Sequence, residues 1–177
     1  MEIYQPSDDS FLLAEFVKEE IKKHELENVL DMGSGSGIQA ETAINSGINP
    51  KNIILADINP DAIKFLKGKF PKSKIILSDL FSKIPKKSEF DLIIFNPPYL
   101  PDHEFDNKPD TSGGKNGSEI INKFLKQAKH YLNKNGKILM LTSSFTKGID
   151  WQDYEKRLLG KKKIFFEELY VLELYLI

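Results

Sequence analysis

The feature that most constrains the fold is a regular alternation of short apolar runs with longer stretches of helical period. The apolar runs are rich in Ile, Leu and Val and are bounded by Gly, Pro, Asn or Asp, which is typical of strands buried on both faces of a sheet. Strands that alternate with helices require right-handed crossovers and favour a mostly parallel sheet covered by helices on both sides. The sequence therefore predicts a doubly wound α/β fold.

The predicted elements account for most of the chain. Two closing strands, near 163–168 and 170–176, have no helix between them, so they are expected to form a hairpin that ends the sheet in one antiparallel strand. The complete prediction is a seven-stranded, mostly parallel sheet with this C-terminal antiparallel hairpin. The other strands are predicted at 28–32, 52–57, 74–78, 90–95 and 136–143, and the helices at 9–24, 37–46, 60–69, 117–133 and 150–160.

Length and composition limit the kinds of site that the chain can form. The 177 residues suit one domain, which we expect to span 1–177. The absence of cysteine excludes disulfide bonds, a thiol nucleophile and cysteine-ligated metals. His24, His103 and His130 are widely separated and lack the spacing of metal ligands. No metal site is therefore predicted.

The charges argue against a large nucleic-acid interface. The 25 basic and 26 acidic residues give a net charge of −1, and Arg157 is the only arginine. With a single arginine, bidentate recognition of phosphate or guanine is almost excluded, so direct binding of nucleic acid is not expected. No apolar run approaches the roughly 20 residues of a membrane span, and the N-terminus lacks the features of a signal peptide. We therefore expect a cytoplasmic protein with no membrane contact.

A glycine-rich loop follows the first predicted strand. Gly33, Gly35 and Gly37 lead directly into a helix, and such a turn lets a ligand approach the backbone and the helix N-terminus closely. The third glycine falls one residue earlier than in the G-x-G-x-x-G pattern of dinucleotide sites, where Ile38 stands instead. The loop therefore predicts a ligand other than a dinucleotide. A tight turn without a ligand is the structural alternative.

Three carboxylates lie at the ends of successive strands of the predicted sheet. Asp31 lies at the mouth of the glycine loop, where it would repel a pyrophosphate but attract an ammonium or sulfonium cation. Asp57 is 20 residues after Gly37, where a carboxylate accepts hydrogen bonds from ribose hydroxyls. Asp79 could accept from an exocyclic amine while Leu80 packs on a purine. Together they favour a cationic nucleoside, and S-adenosylmethionine fits where NAD and ATP do not. For Asp57 and Asp79, helix capping and turn formation are the alternative.

The fourth predicted strand runs straight into Asn96-Pro97-Pro98-Tyr99. The two prolines stiffen this loop and remove two backbone donors. The Asn96 side-chain oxygen and the Pro97 carbonyl can then accept the two hydrogens of one –NH₂ group, while Tyr99 offers a flat face to a planar group. This arrangement suits a carboxamide or an exocyclic amine that attacks a methyl group, because positioning and fixed dipoles supply the catalysis. A rigid strand-terminating turn is the alternative.

Together these segments resemble the class I S-adenosylmethionine-dependent methyltransferases. More closely, the chain is similar to the release-factor glutamine methyltransferases of the HemK/PrmC type, in their short eukaryotic and archaeal branch. The resemblance implies a Rossmann-like fold, and N5-methylation of the glutamine in the Gly-Gly-Gln motif of a class I translation termination factor. It is carried by "YQPSDDSFLL" (4–13), "DMGSGSG" (31–37), "ADINPDA" (56–62), "SDLF" (78–81), "FNPPY" (95–99) and "GGKNG" (113–117).

The resemblance also implies roles for individual residues. Residues 4–10 would fold over the cofactor as a partial lid, so that 1–24 comprise a lid segment and a helix packed on the domain. Asn96 would hold the glutamine amide and also touch the cofactor, with Pro97 and Tyr99 beside it. The residues implied to contact the cofactor are Ser10, Asp31, Gly33, Asp57, Asp79 and Leu80, to which the glycine loop adds Gly35.

Two partners follow from the resemblance. The first is the termination factor, which would dock without the helical N-terminal domain of bacterial relatives. The second is a small zinc-binding activator that would pair with the sheet edge at 73–78, where Ile75 and Leu77 share one face. The alternative is that Lys72 and Lys74 simply protect an unpaired edge. The polar loop at 100–112 is expected to be flexible until substrate binds.

Two rival functions remain open at this point. N6-adenine methylation of DNA or RNA uses the same tetrapeptide chemistry, but the charge balance and the single arginine argue against it. A non-catalytic subunit that only binds cofactor or a partner is the other rival. It would have no physical need of both the carboxylates and the intact tetrapeptide.

Overall fold

The computed structural model describes residues 2–102 and 113–177. Most of the loop at 100–112, which we expected to be flexible, lies outside this range. The helices are α1 (Asp8–Lys23), α2 (Ile38–Asn45), α3 (Pro60–Lys69) and α4 (Glu119–Ala128), with a short 3₁₀ turn at Pro50–Asn52. The strands are β1 (Val29–Met32), β2 (Ile53–Asp57), β3 (Lys74–Leu77), β4 (Phe90–Phe95), β5 (Leu132–Ser143), β6 (Tyr154–Ile164) and β7 (Glu167–Leu176).

The strands form one seven-stranded sheet in the order β3-β2-β1-β4-β5-β7-β6. Pairing is parallel from β3 through β5, while β7 runs antiparallel to both β5 and β6. The doubly wound, mostly parallel α/β prediction is therefore confirmed, and so is the closing hairpin. Because β7 lies between β5 and β6, the antiparallel strand is second from the edge rather than at it.

Both faces of the central strands are buried, which explains their continuous apolar sequence. In β4, Leu92 and Ile94 belong to a core shared with α1, α2 and α3. The alternate residues Ile93 and Phe95 belong to a second core, shared with α4. Since successive side chains of a strand point to opposite faces, the helices must lie on both sides of the sheet.

The predicted helix at 150–160 is wrong, because this segment forms most of β6. Gly160 explains the difference: a β-carbon there would lie 2.2 Å from the ring of Phe16 on α1. Close packing of α1 on a bulged strand, with a register shift between Leu158 and Gly160, stabilises the extended form. The hairpin turn consequently falls at Phe165 and Phe166. In a separate difference, the predicted helix at 117–133 ends earlier, at Ala128.

A buried cluster of charges joins α1 to the sheet. The Lys137 ammonium lies 2.7 Å from a Glu20 carboxylate oxygen and 3.0 Å from one of Glu173, and all three residues are buried. Arg157 completes the cluster by pairing with Glu173. Removal of one partner would leave an uncompensated buried charge at a cost of about 3–5 kcal/mol. The cluster therefore fixes the position of α1, whose first turn reaches the carboxyl edge of the sheet.

The two edges of the sheet differ in their protection. The edge strand β6 carries Lys156, Arg157 and three consecutive lysines at 161–163, which discourage pairing with another strand. The other edge strand, β3, is four residues long and leaves the Leu77 side chain 49% exposed. In the part of the chain that the structure describes, no helix has the length and apolar character to cross a membrane.

Candidate active site

A cavity of about 350 Å³ opens at the carboxyl ends of the central strands, within the usual range for small-molecule sites of about 300–1,000 Å³. Parallel strands that end at one edge bring residues from distant parts of the sequence together there. The structure places all ten predicted site residues in the wall of this cavity; their roles stay predictions. They are Ser10, Asp31, Gly33, Gly35, Asp57, Asp79, Leu80, Asn96, Pro97 and Tyr99.

The Asp57 carboxylate ties β2 to the glycine loop. One of its oxygens accepts a hydrogen bond from the Gly35 backbone N–H at 2.7 Å, and the other accepts from the Asn59 N–H at 2.8 Å. The second bond is a local turn, whereas the cap of α3 is Asn59, whose side chain accepts from the Asp61 N–H at 2.9 Å. Asp57 thus forms a turn but does not cap a helix. Each of its oxygens keeps a second lone pair for a ligand hydroxyl.

Asp31 lies at the bottom of the cavity and is 1% exposed. One of its oxygens accepts a hydrogen bond from the Ala40 backbone N–H at 3.1 Å, near the start of α2. Burial nevertheless raises the pKa of the Asp31 carboxyl to about 7. A cation bound beside this carboxyl would favour its ionised form, so the site is electrostatically matched to a positive ligand.

Asp79 and Leu80 lie after β3 and also line the cavity. The Asp79 carboxylate is half-exposed and lies 2.7 Å from the Lys123 ammonium of α4. Its backbone carbonyl accepts from the Ser82 N–H at 3.0 Å, so the segment forms a turn, and no helix begins there. Leu80 adopts the left-handed region with φ 46° and is buried. This backbone conformation turns an apolar side chain into the cavity wall, where a flat ring could lie against it.

Asn96 has a side chain whose orientation is fixed. Its amide nitrogen donates a hydrogen bond to an Asp9 carboxylate oxygen at 3.0 Å. A carboxylate only accepts, so the nitrogen must face it and the Asn96 oxygen must point the other way. That oxygen is buried and has no partner among the described residues. An unpaired buried acceptor costs about 1–3 kcal/mol, which a bound N–H donor would recover.

Asp9 is a site residue that sequence reasoning missed. Besides Asn96, it accepts from the Tyr4 hydroxyl at 3.0 and 3.1 Å, from the Ser10 backbone N–H at 2.6 Å and from the Ser10 hydroxyl at 3.1 Å. It therefore joins the N-terminal segment and α1 to the loop after β4. The doubled acid before Ser10 was the available signal, but 87 residues separate Asp9 from Asn96.

Gln39 was also missed. It is 4% exposed, lines the cavity, and donates from its amide nitrogen to the Ser10 backbone carbonyl at 2.9 Å. Its side-chain oxygen is buried without a partner among the described residues. Like the Asn96 oxygen, it is an acceptor held in one direction and available to a donor on a ligand. Nothing in the glycine-loop pattern distinguishes this position from an ordinary helical one.

The Tyr99 phenol remains protonated because its surroundings oppose ionisation. Burial, together with the negative charges of Asp9 and Glu167, raises the pKa of Tyr99 well above its ordinary value. The backbone carbonyl of Tyr99 accepts a hydrogen bond from the Thr146 hydroxyl at 2.8 Å. The loop after β5 thus holds the end of the tetrapeptide in place.

The segment "GGKNG" (113–117) packs against the backbone of the tetrapeptide. A β-carbon at Gly113 would lie 2.4 Å from the Pro98 carbonyl oxygen, and one at Gly117 would lie 2.3 Å from that of Tyr99. Gly117 also adopts φ +76°, which side chains rarely tolerate. Only glycine at these positions allows the two backbone segments to approach so closely. The segment 113–117 therefore fixes the position of the Asn96–Tyr99 loop at the cavity.

The N-terminal segment passes across the cavity. Glu2 and Tyr4 line it, and the Glu2 backbone carbonyl accepts from the Asn59 side-chain nitrogen at 3.2 Å. No lysine, arginine or histidine is found among the described lining residues, whereas five acids are: Glu2, Asp9, Asp31, Asp57 and Asp79. The cavity therefore suits a cationic ligand and disfavours phosphates.

Comparisons with known proteins agree with this geometry. Residues 8–161 match the family described as "Methyltransferase small domain". A Methanocaldococcus jannaschii protein, named provisionally as a protein N5-glutamine methyltransferase, is 34% identical over 97% of this chain and 90% of its own length. A release factor glutamine methyltransferase of Rhodopirellula baltica is 30% identical over 68% of this chain and 46% of its own length.

Among solved structures, the Mtq2–Trm112 complex of E. cuniculi has the same fold. It superimposes with a TM-score of 0.77 at 24% identity, covering 100% of this chain and 100% of the matched one. That complex is described as responsible for methylating the translation termination factor eRF1.

Proposed function

We propose a specific reaction for this chain, which belongs to the methyltransferase small-domain family: transfer of a methyl group from S-adenosylmethionine to the side-chain nitrogen of a glutamine. The target would be the Gly-Gly-Gln motif of a class I translation termination factor. Such a substrate would place the enzyme in the cytoplasm.

The unpaired Asn96 oxygen carries this proposal. A primary amide brings two N–H donors, and the Asn96 oxygen and the Pro97 carbonyl are two acceptors at the cavity wall. Among the described residues the Pro97 carbonyl accepts no hydrogen bond, so both acceptors are available. They would hold the amide nitrogen in one position and favour its change towards tetrahedral geometry. After transfer, the nitrogen has exchanged one proton for the methyl group, and that proton leaves to solvent.

The acidic cavity supports S-adenosylmethionine as the donor. This cofactor supplies an activated methyl group on a sulfonium ion and carries an ammonium group, both positive. We infer that Asp31 and the Gln39 oxygen hold the cationic end, and that Asp57 accepts from the ribose hydroxyls. Leu80 would lie against the adenine, with Asp79 near its amine. We thereby add Gln39 to the residues proposed to bind the cofactor.

Residues 1–24 would comprise a lid segment and a helix packed on the domain of a single-domain enzyme. Tyr4 and Glu2 already contact the cavity wall, and the Tyr4 backbone lies 3.8 Å from where a β-carbon of Gly35 would be. Opening of this segment would release the product, and the Tyr4–Asp9 hydrogen bonds would stabilise the closed form. The lid would thereby exclude water from the reacting atoms.

We further propose that a small zinc-binding partner pairs with β3. The E. cuniculi enzyme is found with Trm112, and β3 is the less protected edge of the sheet here. Its residues Ile75 and Ile76 are partly exposed, and Leu77 is 49% exposed. A partner strand would satisfy the unpaired backbone groups of this edge and cover the apolar side chains.

One experiment separates this function from its rival. The protein, with and without a Trm112-type partner, is incubated with S-adenosylmethionine, a termination factor and adenine-containing oligonucleotides, and both substrates are examined by mass spectrometry. We expect one methyl group on the Gly-Gly-Gln glutamine and none on the oligonucleotides. A matched factor in which that glutamine is replaced by Glu should stay unmodified. Methyl groups found only on adenine would refute the proposal.

A further inference from the structure

The β6–β7 turn carries two exposed aromatic side chains. It lies at the carboxyl end of the parallel strands, which is the end of the sheet where the active site lies. Ile164 pairs with Glu167, so Phe165 and Phe166 form a two-residue turn. These phenylalanines are 90% and 94% exposed. β7 runs antiparallel to β5, and Leu169 pairs with Ser143 at the carboxyl end of β5. The turn therefore extends beyond the same edge as the cavity.

The backbone of this turn is strained to hold an aromatic residue. Phe165 has φ 51°, a left-handed conformation that two-residue hairpin turns ordinarily give to Gly, Asn or Asp. Side chains without a local polar group adopt it at a cost. Neither ring contributes to the core. The strained backbone and the two exposed rings therefore do not stabilise the fold. Their arrangement favours a role in binding.

The turn lies close to the catalytic loop. The Ser144 backbone N–H donates to the Glu168 carbonyl at 2.8 Å, two residues beyond the turn. The loop that contains Ser144 then reaches Tyr99 through the bond from Thr146. Glu167, directly after the turn, is near enough to the Tyr99 phenol to raise its pKa. A protein bound at the cavity mouth would therefore meet the turn.

The hairpin is held in place rather than free to swing. Lys162 pairs with Asp8 of α1 at 2.8 Å, and Gly160 packs on Phe16. The Tyr170 hydroxyl donates to Glu168 at 2.9 Å on β7. Because these contacts fix the backbone of the turn, a partner that binds the two rings would not have to order the loop that carries them.

Two more exposed phenylalanines lie at this edge. Phe145, 43% exposed, follows β5 in the loop that contacts Tyr99, and Phe11, 54% exposed, lies three residues after Asp8 on α1. We call Phe11, Phe145, Phe165 and Phe166 the aromatic rim. Exposed aromatic side chains of this kind are the usual anchors of protein–protein interfaces.

We propose that the aromatic rim is the docking surface for the body of the protein substrate. This inference rests on the proposed function. A glutamine side chain is short, so a substrate whose amide reaches Asn96 must bring its backbone to the cavity mouth and its neighbouring surface onto the turn. A second copy of the chain on the rim would instead crowd the mouth during turnover. The occupant we infer is therefore an apolar patch beside the Gly-Gly-Gln loop of the termination factor.

The test removes both rings while relieving the backbone strain. In the variant Phe165→Gly/Phe166→Ser the turn receives a residue suited to a positive φ, so the fold should be retained. Activity is measured on the intact termination factor and on a short Gly-Gly-Gln peptide, with the activator partner present. Affinity for the factor is measured by calorimetry with S-adenosylhomocysteine bound. The control is Ile177→Ser, which removes an 84% exposed apolar side chain after β7, at the opposite end of the sheet from the cavity and away from β3.

We expect the KM for the intact factor to rise about 10- to 100-fold, with the affinity falling in parallel and kcat within about threefold. The activity of the double variant on the peptide should stay within about twofold of that of the unmodified enzyme. The control variant should stay within the same limit on both substrates. An unchanged KM and affinity for the factor would overturn the docking proposal while glutamine methylation stands. An equal loss on the peptide, or a dimer that the substitution dissociates, would also overturn it. If the unmodified enzyme neither binds nor methylates the factor, the proposed function fails and the docking proposal fails with it.

Discussion

Asp9 accepts a hydrogen bond from the Asn96 side-chain nitrogen at 3.0 Å, across 87 residues of sequence. This contact decides which atom of the Asn96 amide faces the cavity. The carboxylate can only accept, so the Asn96 oxygen is presented to the cavity as an acceptor. Asp9 also accepts from Tyr4 and Ser10, so the N-terminal segment and α1 both help to hold the carboxylate that orients Asn96.

Asp9→Asn should therefore lower kcat without preventing cofactor binding. The asparagine amide could turn its nitrogen towards Asn96, and the Asn96 oxygen would then rotate towards residue 9 and away from the substrate. We expect a fall in kcat of about 10- to 100-fold, equivalent to about 1.4–2.8 kcal/mol of transition-state stabilisation. The measurement is steady-state kinetics on the termination factor, with cofactor affinity from calorimetry. Glu19→Gln, on the exposed face of α1, is the control and should change neither value.

Gln39→Leu should weaken cofactor binding without changing how the enzyme binds the glutamine amide of its substrate. The substitution removes the unpaired oxygen and the hydrogen bond to the Ser10 carbonyl but keeps most of the side-chain volume. We expect the dissociation constant for S-adenosylmethionine to rise about 10- to 100-fold, since one hydrogen bond to a charged group is worth about 1.5–3 kcal/mol. The KM for the termination factor should be unchanged. Equal cofactor affinity in this variant and in the exposed control Gln152→Leu would show that the Gln39 oxygen has no part in binding.

Gly117→Ala should displace the catalytic loop. A β-carbon at this position would overlap the Tyr99 carbonyl oxygen, so the tetrapeptide must move and Asn96 must move with it. Since a shift of about 1 Å can cost a factor of about 100 in rate, we expect kcat to fall by that order. Gly47→Ala is the matched control, because Gly47 also has a positive φ but nothing within 4 Å. If both variants lose the same stability and neither loses activity, the support of the loop by 113–117 is disproved.

The sequence predicted the parts of this site that are local, and missed those that depend on distant contacts. Gly33, Asp57 and Asn96 each lie at the carboxyl end of a strand, so the parallel-sheet prediction was enough to bring them together. The positions of Asp9 and Gln39 depend on how α1 packs against α2 and the sheet. Periodicity alone does not reveal that packing, and the charged cluster around Lys137 that stabilises it joins residues from four elements.

The failure at 150–160 has a similar cause. The segment contains enough apolar and charged residues to suggest a helix, but its register is set by pairing with β7 and by the contact between Gly160 and Phe16. Tertiary pairing overrides local propensity in such segments. The same shift moved the hairpin turn to Phe165 and Phe166 and left both rings exposed, a feature that no local pattern indicated.

Asp31→Asn should make the unliganded protein more stable above neutral pH and at the same time abolish cofactor binding. Burial raises the pKa of the Asp31 carboxyl to about 7 in the folded chain, above its ordinary value. The folded state therefore binds more protons than the unfolded state between about pH 4 and 7, and stability falls with rising pH across this range. Each unit of pKa difference corresponds to about 1.4 kcal/mol. The neutral asparagine can still accept from the Ala40 N–H, and it removes the cost of ionisation.

Chemical denaturation at pH 5 and pH 8 measures this effect. We expect the free energy of unfolding of the original protein to fall between these values, and that of Asp31→Asn to change less. Cofactor affinity should follow the opposite course in the original protein, rising with pH as the carboxyl ionises to meet a cation. A flat affinity profile across pH 6 to 8, with unaltered binding in Asp31→Asn, would mean that Asp31 does not face the positive end of the ligand.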